Sequence, residues 1–204
     1  MAITTKEEGV WSIDQVYAKQ NQGSIWAYSS SLKNLFAWGD NGRGQLGQNN
    51  EGDGTEQSSP VQVGSDSTWQ TLSKAAGSEA GWIYARKNDS TLWAIGRNNY
   101  GILGQNQPSN SHRSSPVQIP GNYDGNILSS GNRHTLFSKT EGTLWGVGSS
   151  QYGGLGQNSR TPPPSGISSP VQIPGTTWSQ AVGGYLASFA LKSDGTYWAW
   201  GNNA

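Results

Sequence analysis

The sequence of 204 residues contains no cysteine, which excludes disulfide bonds and thiolate metal sites. Only 13% of its residues are charged, and 13 basic residues balance 13 acidic ones to a formal net charge of zero. Nucleic-acid binding requires a basic surface that displaces counterions, and this composition does not indicate one. No apolar run reaches the roughly 18 residues of a membrane span. The first residues also lack the apolar core of a signal peptide.

Glycine and tryptophan are abundant, with 29 and 10 copies. Glycine supplies the positive φ angles of tight turns, and aromatic side chains pack well on pleated sheets. Ten tryptophans also provide enough apolar surface for a packed core, which argues against disorder. The composition therefore predicts an all-β domain of short strands and tight turns.

The segment Gly42–Gly47, GRGQLG, matches the G-x-G-x-x-G pattern of dinucleotide-binding proteins. That pattern requires a helix directly after the glycines and an acidic residue about 20 positions later. The sequence after Gly47 is polar and rich in glycine, without helical periodicity. In two later copies of the segment, Asn99 and Gln151 replace Gly42. We therefore interpret the glycines as part of a structural repeat.

The repeat is visible in residues 35–49, 92–106, 144–158 and 197–204, which read LFAWGDNGRGQLGQN, LWAIGRNNYGILGQN, LWGVGSSQYGGLGQN and YWAWGNNA. The intervals between its first glycines are 57, 52 and 53 residues. A period near 50 residues with several strands per unit is typical of β-propeller blades. The recurring residues are Trp38, Gly39, Gly44, Leu46, Gly47, Trp93, Gly96, Gly101, Leu103, Gly104, Trp145, Gly148, Gly153, Leu155, Gly156, Trp198 and Gly201. We expect the tryptophans to pack between sheets, the leucines to plug the spaces between blades and the glycines to shape the loops.

Each unit is predicted to contain four strands. An outer strand with the sequence Ser-Ser-Pro-Val-Gln occurs at 58–63, 114–119 and 168–173, where proline suits a sheet edge. An inner strand follows at 69–72, 126–128 and 178–182. A hairpin with an Asx- or Gly-containing turn then leads into the Trp-x-x-Gly strand, as expected for tight turns. The first unit has a matching hairpin strand at 25–28.

The core W-x-x-G-x-N-x-x-G-x-L-G, the Asp-Gly turn and the Ser-Pro-Val strand resemble the regulator of chromosome condensation repeats. This resemblance covers residues 24–204, with repeats at about 24–64, 65–121, 122–175 and 176–204, and leaves 1–23 as an N-terminal docking or capping segment. It implies a β-propeller, which has about seven blades in typical members. It also implies guanine-nucleotide exchange on a small GTPase and chromatin binding, but this chain has about half the repeats and no basic tail, and fold alone does not carry function.

The blade count leaves ring closure open. The chain has four hairpins but three Ser-Pro-Val elements, so the fourth blade lacks an outer strand. Unpaired edges promote aggregation and are normally covered. Residues 2–5 or 10–16 could close a blade and give a tight four-bladed ring. The alternative, which we favour, is an open arc that a second copy completes.

Residues 9–26 do not match the repeat. Ser12–Gln15 form a capping box that predicts a short helix from Ile13, with a hydrophobic staple around it. Such a helix must pack against other structure to be stable, and the segment therefore either caps the propeller or docks on another protein. The docking candidates are Val10, Trp11, Ile13, Val16 and Tyr17.

The segment GVWS…QVYAKQ…W is similar to short segments at the ends of tailed-phage structural proteins, notably of marine and cyanobacterial phages. This resemblance implies a non-enzymatic virion protein on the phage particle, such as a capsid decoration, fibre or tail-associated component. Its partners would be other virion proteins and further copies of itself. The alternative is a recognition module for a host glycan or surface protein. Neither function involves nucleic-acid binding or membrane insertion.

Few residues suggest chemistry. His134 occupies the repeat's Gly-x-x-His position and is predicted to be structural, while His112 lies in a polar loop. Glu51, Asp53 and Glu56 carry oxygen ligands suited to Ca²⁺, but they lack EF-hand spacing, and a solvated loop is the simpler interpretation. No catalytic set and no cofactor site are predicted.

Overall fold

A computed structural model describes residues 33–75, 81–159 and 166–203. Within these ranges the chain forms fourteen strands and one turn of 3-10 helix at Asn99–Gly101. The strands are β1 (Phe36–Gly39), β2 (Gln57–Gln62), β3 (Trp69–Leu72), β4 (Lys74–Ala75), β5 (Trp82–Lys87), β6 (Leu92–Gly96), β7 (Arg113–Ile119), β8 (Tyr123–Ser130), β9 (His134–Lys139), β10 (Leu144–Gly148), β11 (Ile167–Ile173), β12 (Trp178–Gly183), β13 (Ala187–Lys192) and β14 (Tyr197–Gly201).

The strands form four sheets, and neighbouring strands are antiparallel with one exception. The first sheet pairs β1 with β2, and the second has the order β3-β5-β6-β7. The third has the order β4-β8-β9-β10-β11, in which the short β4 pairs in parallel with β8. The fourth has the order β12-β13-β14. Each complete sheet thus runs from an inner strand through a hairpin to an outer strand.

Side chains alternate between the two faces of each sheet, as the strand period of two requires. We call the face toward the following sheet the leading face and the opposite one the trailing face. Tyr84 and Leu92 on the leading face of the second sheet pack in one cluster with Phe137 and Val147 on the trailing face of the third. Leu136 and Leu144 on the leading face of the third sheet pack with residues of the fourth. The core is therefore a series of similar layers between sheets.

Inner strands also bridge the sheets directly. The Gly183 amide in β12 donates to Ser129 Oγ in β8 at 3.1 Å.

Aromatic rings also pack between the sheets. Tyr84 and Phe137 approach with ring centroids 6.1 Å apart, and Tyr123 meets Phe137 edge-on at 5.2 Å. Aromatic pairs at these separations add to the stability that burial alone provides.

The prediction of an all-β repeat fold is confirmed, and the strands fall where the repeat placed them. The segment after Gly47 contains turns and no helix, as its lack of periodicity indicated. The outer strand at 58–63 ends one residue early, at Gln62, and the inner strand at 126–128 belongs to the longer β8. The predicted strand at 25–28, the N-terminal helix and all five docking candidates lie outside the described residues. In the part of the chain that the structure describes, no helix is long and apolar enough to span a membrane.

Candidate protein-interaction surfaces

The Gly-Leu loops follow the third strand of each of the first three units. Leu46, Leu103 and Leu155 are buried. In the first two loops a buried asparagine holds the leucine, since Asn41 Oδ1 accepts from the Leu46 amide at 3.1 Å and Asn98 Oδ1 from the Leu103 amide at 2.9 Å. The loops therefore fix the spacing between sheets.

A glutamine after each loop fastens it to the outer strand of its own sheet. Gln48, Gln105 and Gln157 each donate through Nε2 to the carbonyl of an outer-strand glutamine, at 3.0, 2.9 and 2.7 Å respectively. Each Nε2 also donates to the carbonyl of the loop leucine. The repeated Leu-Gly-Gln thus closes each loop onto a strand.

First glycines of the repeat lie at the end of the third strand, where the backbone turns out of the sheet. At Gly96 φ is +100°, and an added Cβ would lie 2.2 Å from the Gly81 carbonyl oxygen. At Gly148 φ is +106°, and an added Cβ would lie 2.5 Å from the Arg133 carbonyl oxygen. A larger residue at either position would clash with backbone.

Tryptophan positions differ among the units. Trp93 and Trp145 precede their glycine by three residues and pair with Gln118 and Gln172, whereas in the first unit Phe36 takes this place and pairs with Gln62. Trp38, which directly precedes Gly39, is therefore not equivalent to the other three and is 62% exposed. Trp198 is equivalent to Trp93 but half exposed, and within the described residues no outer strand pairs with β14 beside it.

Each hairpin base carries a lysine against aromatic rings. Lys87 Nζ lies 3.9 Å from the ring centroid of Trp93 and 4.7 Å from that of Trp69. Lys139 and Lys192 lie 3.6 Å from Trp145 and 4.7 Å from Trp198. Such cation–π contacts hold the ammonium groups against the aromatic rings.

Carboxylates accompany these lysines. Lys87 Nζ forms an ion pair with Asp66 at 2.5 Å. Hydrogen bonds from Lys87 and from Thr68 lower the pKa of Asp66 to about 2. Hydrogen bonds from Thr91 and Thr196 likewise lower the pKa of Asp89 and Asp194 at the hairpin turns. The carboxylates of these turns thus find their hydrogen-bond donors within the turns, as expected for a structural repeat.

The leading face of the fourth sheet is an exposed apolar surface of the described chain. Phe189 is the structural equivalent of Tyr84 and Leu136, both fully buried, yet it is 54% exposed. Tyr197 is equivalent to Leu92 and Leu144 and is 84% exposed. Val182 in β12 is exposed beside them. The positions that pack against the next sheet in the second and third sheets are therefore exposed in the fourth sheet.

A second apolar surface lies at the first sheet. Phe36 and Trp38 of β1 and Leu72 of β3 are exposed and line a groove of about 480 Å³ that residues of the first and second sheets form together. Phe36 and Trp38 lie on the trailing face of the first sheet. Opposite ends of the sheet series therefore both carry exposed aromatic groups.

His134 is buried and bridges two sheets, in agreement with a structural role. Its Nε2 lies 2.8 Å from Ser188 Oγ, and that hydroxyl donates to the Gly154 carbonyl at 2.7 Å. Because the hydroxyl proton is used, Nε2 is the donor to Ser188 Oγ. Burial lowers the pKa of His134 to about 4. His112 accepts the Asn98 amide at Nδ1 at 3.0 Å, so it also braces a loop.

The candidate calcium ligands do not converge. Glu51, Asp53 and Glu56 are exposed in the first long loop. Over the described ranges there is no group of three or more His, Cys, Asp or Glu side chains that could hold a metal ion. The acidic loop is therefore a solvated surface in this structure.

Sequence reasoning missed two features of these surfaces. It did not foresee the lysine–tryptophan contacts, although Lys87, Lys139 and Lys192 recur at one position before each hairpin turn. It also assigned no role to the glutamine of Leu-Gly-Gln. In both cases the signal was a recurring polar residue at a fixed place in the repeat.

Comparisons with known proteins agree with this architecture. Residues 34–79 and 89–138 match the Regulator of chromosome condensation (RCC1) repeat. The Ultraviolet-B receptor UVR8 of Arabidopsis thaliana is 29% identical over 169 residues, which are 82% of this chain and 37% of the receptor.

Solved structures share the fold at lower identity. Yeast RCC1 (Prp20), crystallised with Kap60, superposes with a TM-score of 0.67 and 19% identity over 83% of this chain and 40% of that one. Human WBSCR16 superposes with a TM-score of 0.69 and 18% identity, over 84% of this chain and 43% of that one. The chain thus spans about two fifths of the relatives it matches, and its sheets resemble the blades of RCC1-type β-propellers.

Proposed function

Because residues 34–79 and 89–138 match the RCC1 repeat, we propose that the chain is a non-enzymatic protein-interaction scaffold whose docking surface is the leading face of the fourth sheet. The observation that carries this proposal is the contrast between Phe189 and its buried equivalents Tyr84 and Leu136. This position is apolar in all three described copies but exposed in the fourth sheet alone. Such a contrast indicates a surface that a partner covers.

Burial of this face would stabilise a complex substantially. Removing one large apolar side chain from water contributes about 1.5–3 kcal/mol, and Val182, Phe189 and Tyr197 are adjacent on the face. Aromatic groups at the centre of an apolar patch are the usual anchors of protein interfaces. Monomeric proteins rarely expose such patches without a function.

The first partner that we propose is a second copy of the chain. Within the molecule, a leading face packs against the trailing face of the next sheet. Exposed Phe36 and Trp38 give the first sheet an apolar trailing face that has the same relation to Phe189 and Tyr197. Two copies could therefore associate by repeating a contact that each already contains.

Light scattering of the purified 204-residue chain tests this partner. We expect a mass that rises with concentration from 21.8 kDa toward twice that value. A constant mass of one chain at all concentrations would contradict self-association, and the scaffold would then need a different protein.

At a finer level, we propose that the scaffold is a structural component of a tailed-phage particle, with other virion proteins as partners. The support is the similarity of residues 9–26 to segments of phage structural proteins, and Val10, Trp11, Ile13, Val16 and Tyr17 would make the docking contacts. Quantitative mass spectrometry of purified particles should find the chain at a fixed copy number. Its presence only in lysate, and not in washed particles, would exclude this role.

A second candidate function is recognition of a host glycan or surface protein. Tyr197 and Trp198 in β14 and Tyr185 in the turn between β12 and β13 are exposed aromatic groups, and sugars bind on such ring faces. Binding of the isolated chain to a glycan array, with loss on Tyr197→Ala and Trp198→Ala, would favour this function. A particle-bound protein without such binding would favour the structural one.

A further inference from the structure

A groove lies beside the free edge of β14. It has a volume of about 460 Å³ and is formed by the third Gly-Leu loop together with the end of β14. The groove is lined by residues that include Tyr152, Gly153, Gly156, Asn158, Trp200 and Gly201. Within the described residues, no strand pairs with this edge of β14.

The same groove occurs at the first loop, where a strand fills it. A Cβ added to Gly44 would lie 2.6 Å from Ser114 Cα in β7, so the loop and the strand touch directly. The Asn49 amide donates to the Ser114 carbonyl at 2.7 Å, and Ser115 Oγ donates to Asn49 Oδ1 at 3.1 Å. The loop of the first unit thus grips the Ser-Ser-Pro strand of the second sheet.

The second loop repeats this arrangement with β11. A Cβ added to Gly101 would lie 2.6 Å from Ser168 Cα, and the Asn106 amide donates to the Ser168 carbonyl at 2.7 Å. An added Cβ at Gly104 would contact Pro170 Cγ at 3.7 Å. Two independent copies therefore show what such a groove holds.

The third loop has the same backbone, but within the described residues no strand fills its groove. Gly153 has φ +77°, close to the +73° of Gly44 and the +70° of Gly101, yet an added Cβ would meet nothing within 4 Å. Asn158 has φ +51°, the same value as Asn106. Gly201 has φ +115° and is equivalent to Gly96, where the third strand pairs with an outer strand.

We propose that this groove binds an extended Ser-Ser-Pro-Val-Gln strand of a partner chain, which adds to β14 as an outer strand. The inference rests on the proposed function as an interaction scaffold and names the chemistry of one partner segment. Backbone hydrogen bonds to β14 would supply affinity, as in other cases where a peptide extends a sheet edge. The loop would supply the sequence preference.

Three residues of the strand are favoured for physical reasons. The first serine must be small because it touches the glycine of the loop, as Ser114 and Ser168 do. Proline lacks an amide hydrogen and therefore suits the edge of a sheet. The valine pairs with the middle of the third strand, as Val117 does with Ala94 and Val171 with Gly146. A different peptide would lose one or more of these fits.

The experiment is a fluorescence-anisotropy titration of a labelled peptide, Ile-Ser-Ser-Pro-Val-Gln-Ile, with the full 204-residue chain. This peptide has the sequence of β11, residues 167–173. We expect saturable binding with one site per chain. A peptide with tryptophan in place of the first serine should bind at least tenfold more weakly, because the loop leaves no room for it.

Gly153→Ala is the matching change in the protein. Its Cβ meets no atom of the described structure but would collide with a strand in the groove, so we expect at least a tenfold loss of peptide affinity. Gly54→Ala is the control, since Gly54 also has positive φ (+81°) and open space around it but lies away from the groove. It should bind the peptide as the unchanged chain does.

Three results would overturn the proposal. The first is no binding of the β11 peptide, and the second is equal binding of the tryptophan peptide. The third is equal affinity of the Gly153→Ala and Gly54→Ala chains. If the peptide fails and hydrogen exchange shows the β14 amides protected, residues of the same chain or a second copy hold the edge. Self-association and particle binding are measured separately, so they can succeed where this proposal fails.

Discussion

Gly101 and Gly54 share a positive φ but differ in what surrounds them. A Cβ at Gly101 would lie 2.5 Å from Ser168 Cβ, whereas one at Gly54 would meet nothing within 4 Å. We expect Gly101→Ala to lower the free energy of unfolding by about 3 kcal/mol, the sum of backbone strain and overpacking. Gly54→Ala should cost about 1–2 kcal/mol from backbone strain alone. Urea denaturation measures both.

Equal destabilisation by the two changes would show that backbone strain, and not contact with β11, decides the cost at Gly101. Gly44→Ala offers an independent repetition, because its Cβ would meet Ser114 in the same way. It should behave like Gly101→Ala.

His134 makes stability depend on pH. Burial lowers its pKa from 6.5 to about 4, so between these values the unfolded chain binds a proton that the folded chain does not. Stability is therefore complete above pH 6.5 and decreases as the pH falls to 4, by about 3 kcal/mol from this group. Urea denaturation of the unchanged chain and of His134→Gln between pH 7 and 4.5 measures the effect.

The variant should lose most of this pH dependence. His112→Gln is the comparison, because burial lowers the pKa of His112 too but this side chain is less enclosed. A His134→Gln chain with an unchanged pH profile would show that other groups cause the acid sensitivity.

At the scale of the element, the glutamine that fastens each loop should contribute measurably. Gln105→Ala removes the hydrogen bonds from Nε2 to the carbonyls of Gln118 and Leu103. We expect a loss of about 1 kcal/mol in the free energy of unfolding, the usual net value of such bonds. Gln107→Ala, at an exposed position of the same loop, should change it by less than about 0.5 kcal/mol. A similar loss in both variants would contradict a specific role for Gln105.

Strands could be predicted because each unit repeats the same signals. Ser-Ser-Pro-Val-Gln marked β7 and β11, and Asx- or Gly-containing turns marked the hairpins. β4 could not be predicted, because two residues, Lys74 and Ala75, carry no alternation and pair in parallel with a distant strand. Trp38 was grouped with the tryptophans of the other units, but Phe36 occupies the equivalent position in the first unit.

The exposed surfaces could not be predicted for another reason. Phe189 and Tyr197 obey the same alternation as Leu136 and Leu144, so their pattern indicates burial. Burial of a residue on a sheet face depends on whether another sheet packs against that face. The local sequence pattern does not contain this information. The acidic residues around Asp53 illustrate the converse, since a suggestive composition did not produce a cluster in space.

At the scale of the whole molecule, the uncovered leading face should control association. Phe189→Asp places a charge at the centre of that face, and we expect the mass in solution to fall to that of one chain. Asn122→Asp adds the same charge at an exposed position between the second and third sheets and should leave the mass unchanged. Sedimentation equilibrium measures the mass of the unchanged chain and of both variants.

Association that survives Phe189→Asp would contradict a role for this face. Circular dichroism of both variants checks that the fold is retained, which separates loss of the contact from loss of structure.

The grip of each Gly-Leu loop on the following outer strand has a direction. Asn49 holds Ser114 and Asn106 holds Ser168, so a loop always precedes the strand that it binds. On a ribosome the loop therefore emerges first and is available when its strand appears. Newly made sheets can dock one after another in the order of translation, which is how domains are generally assembled during synthesis.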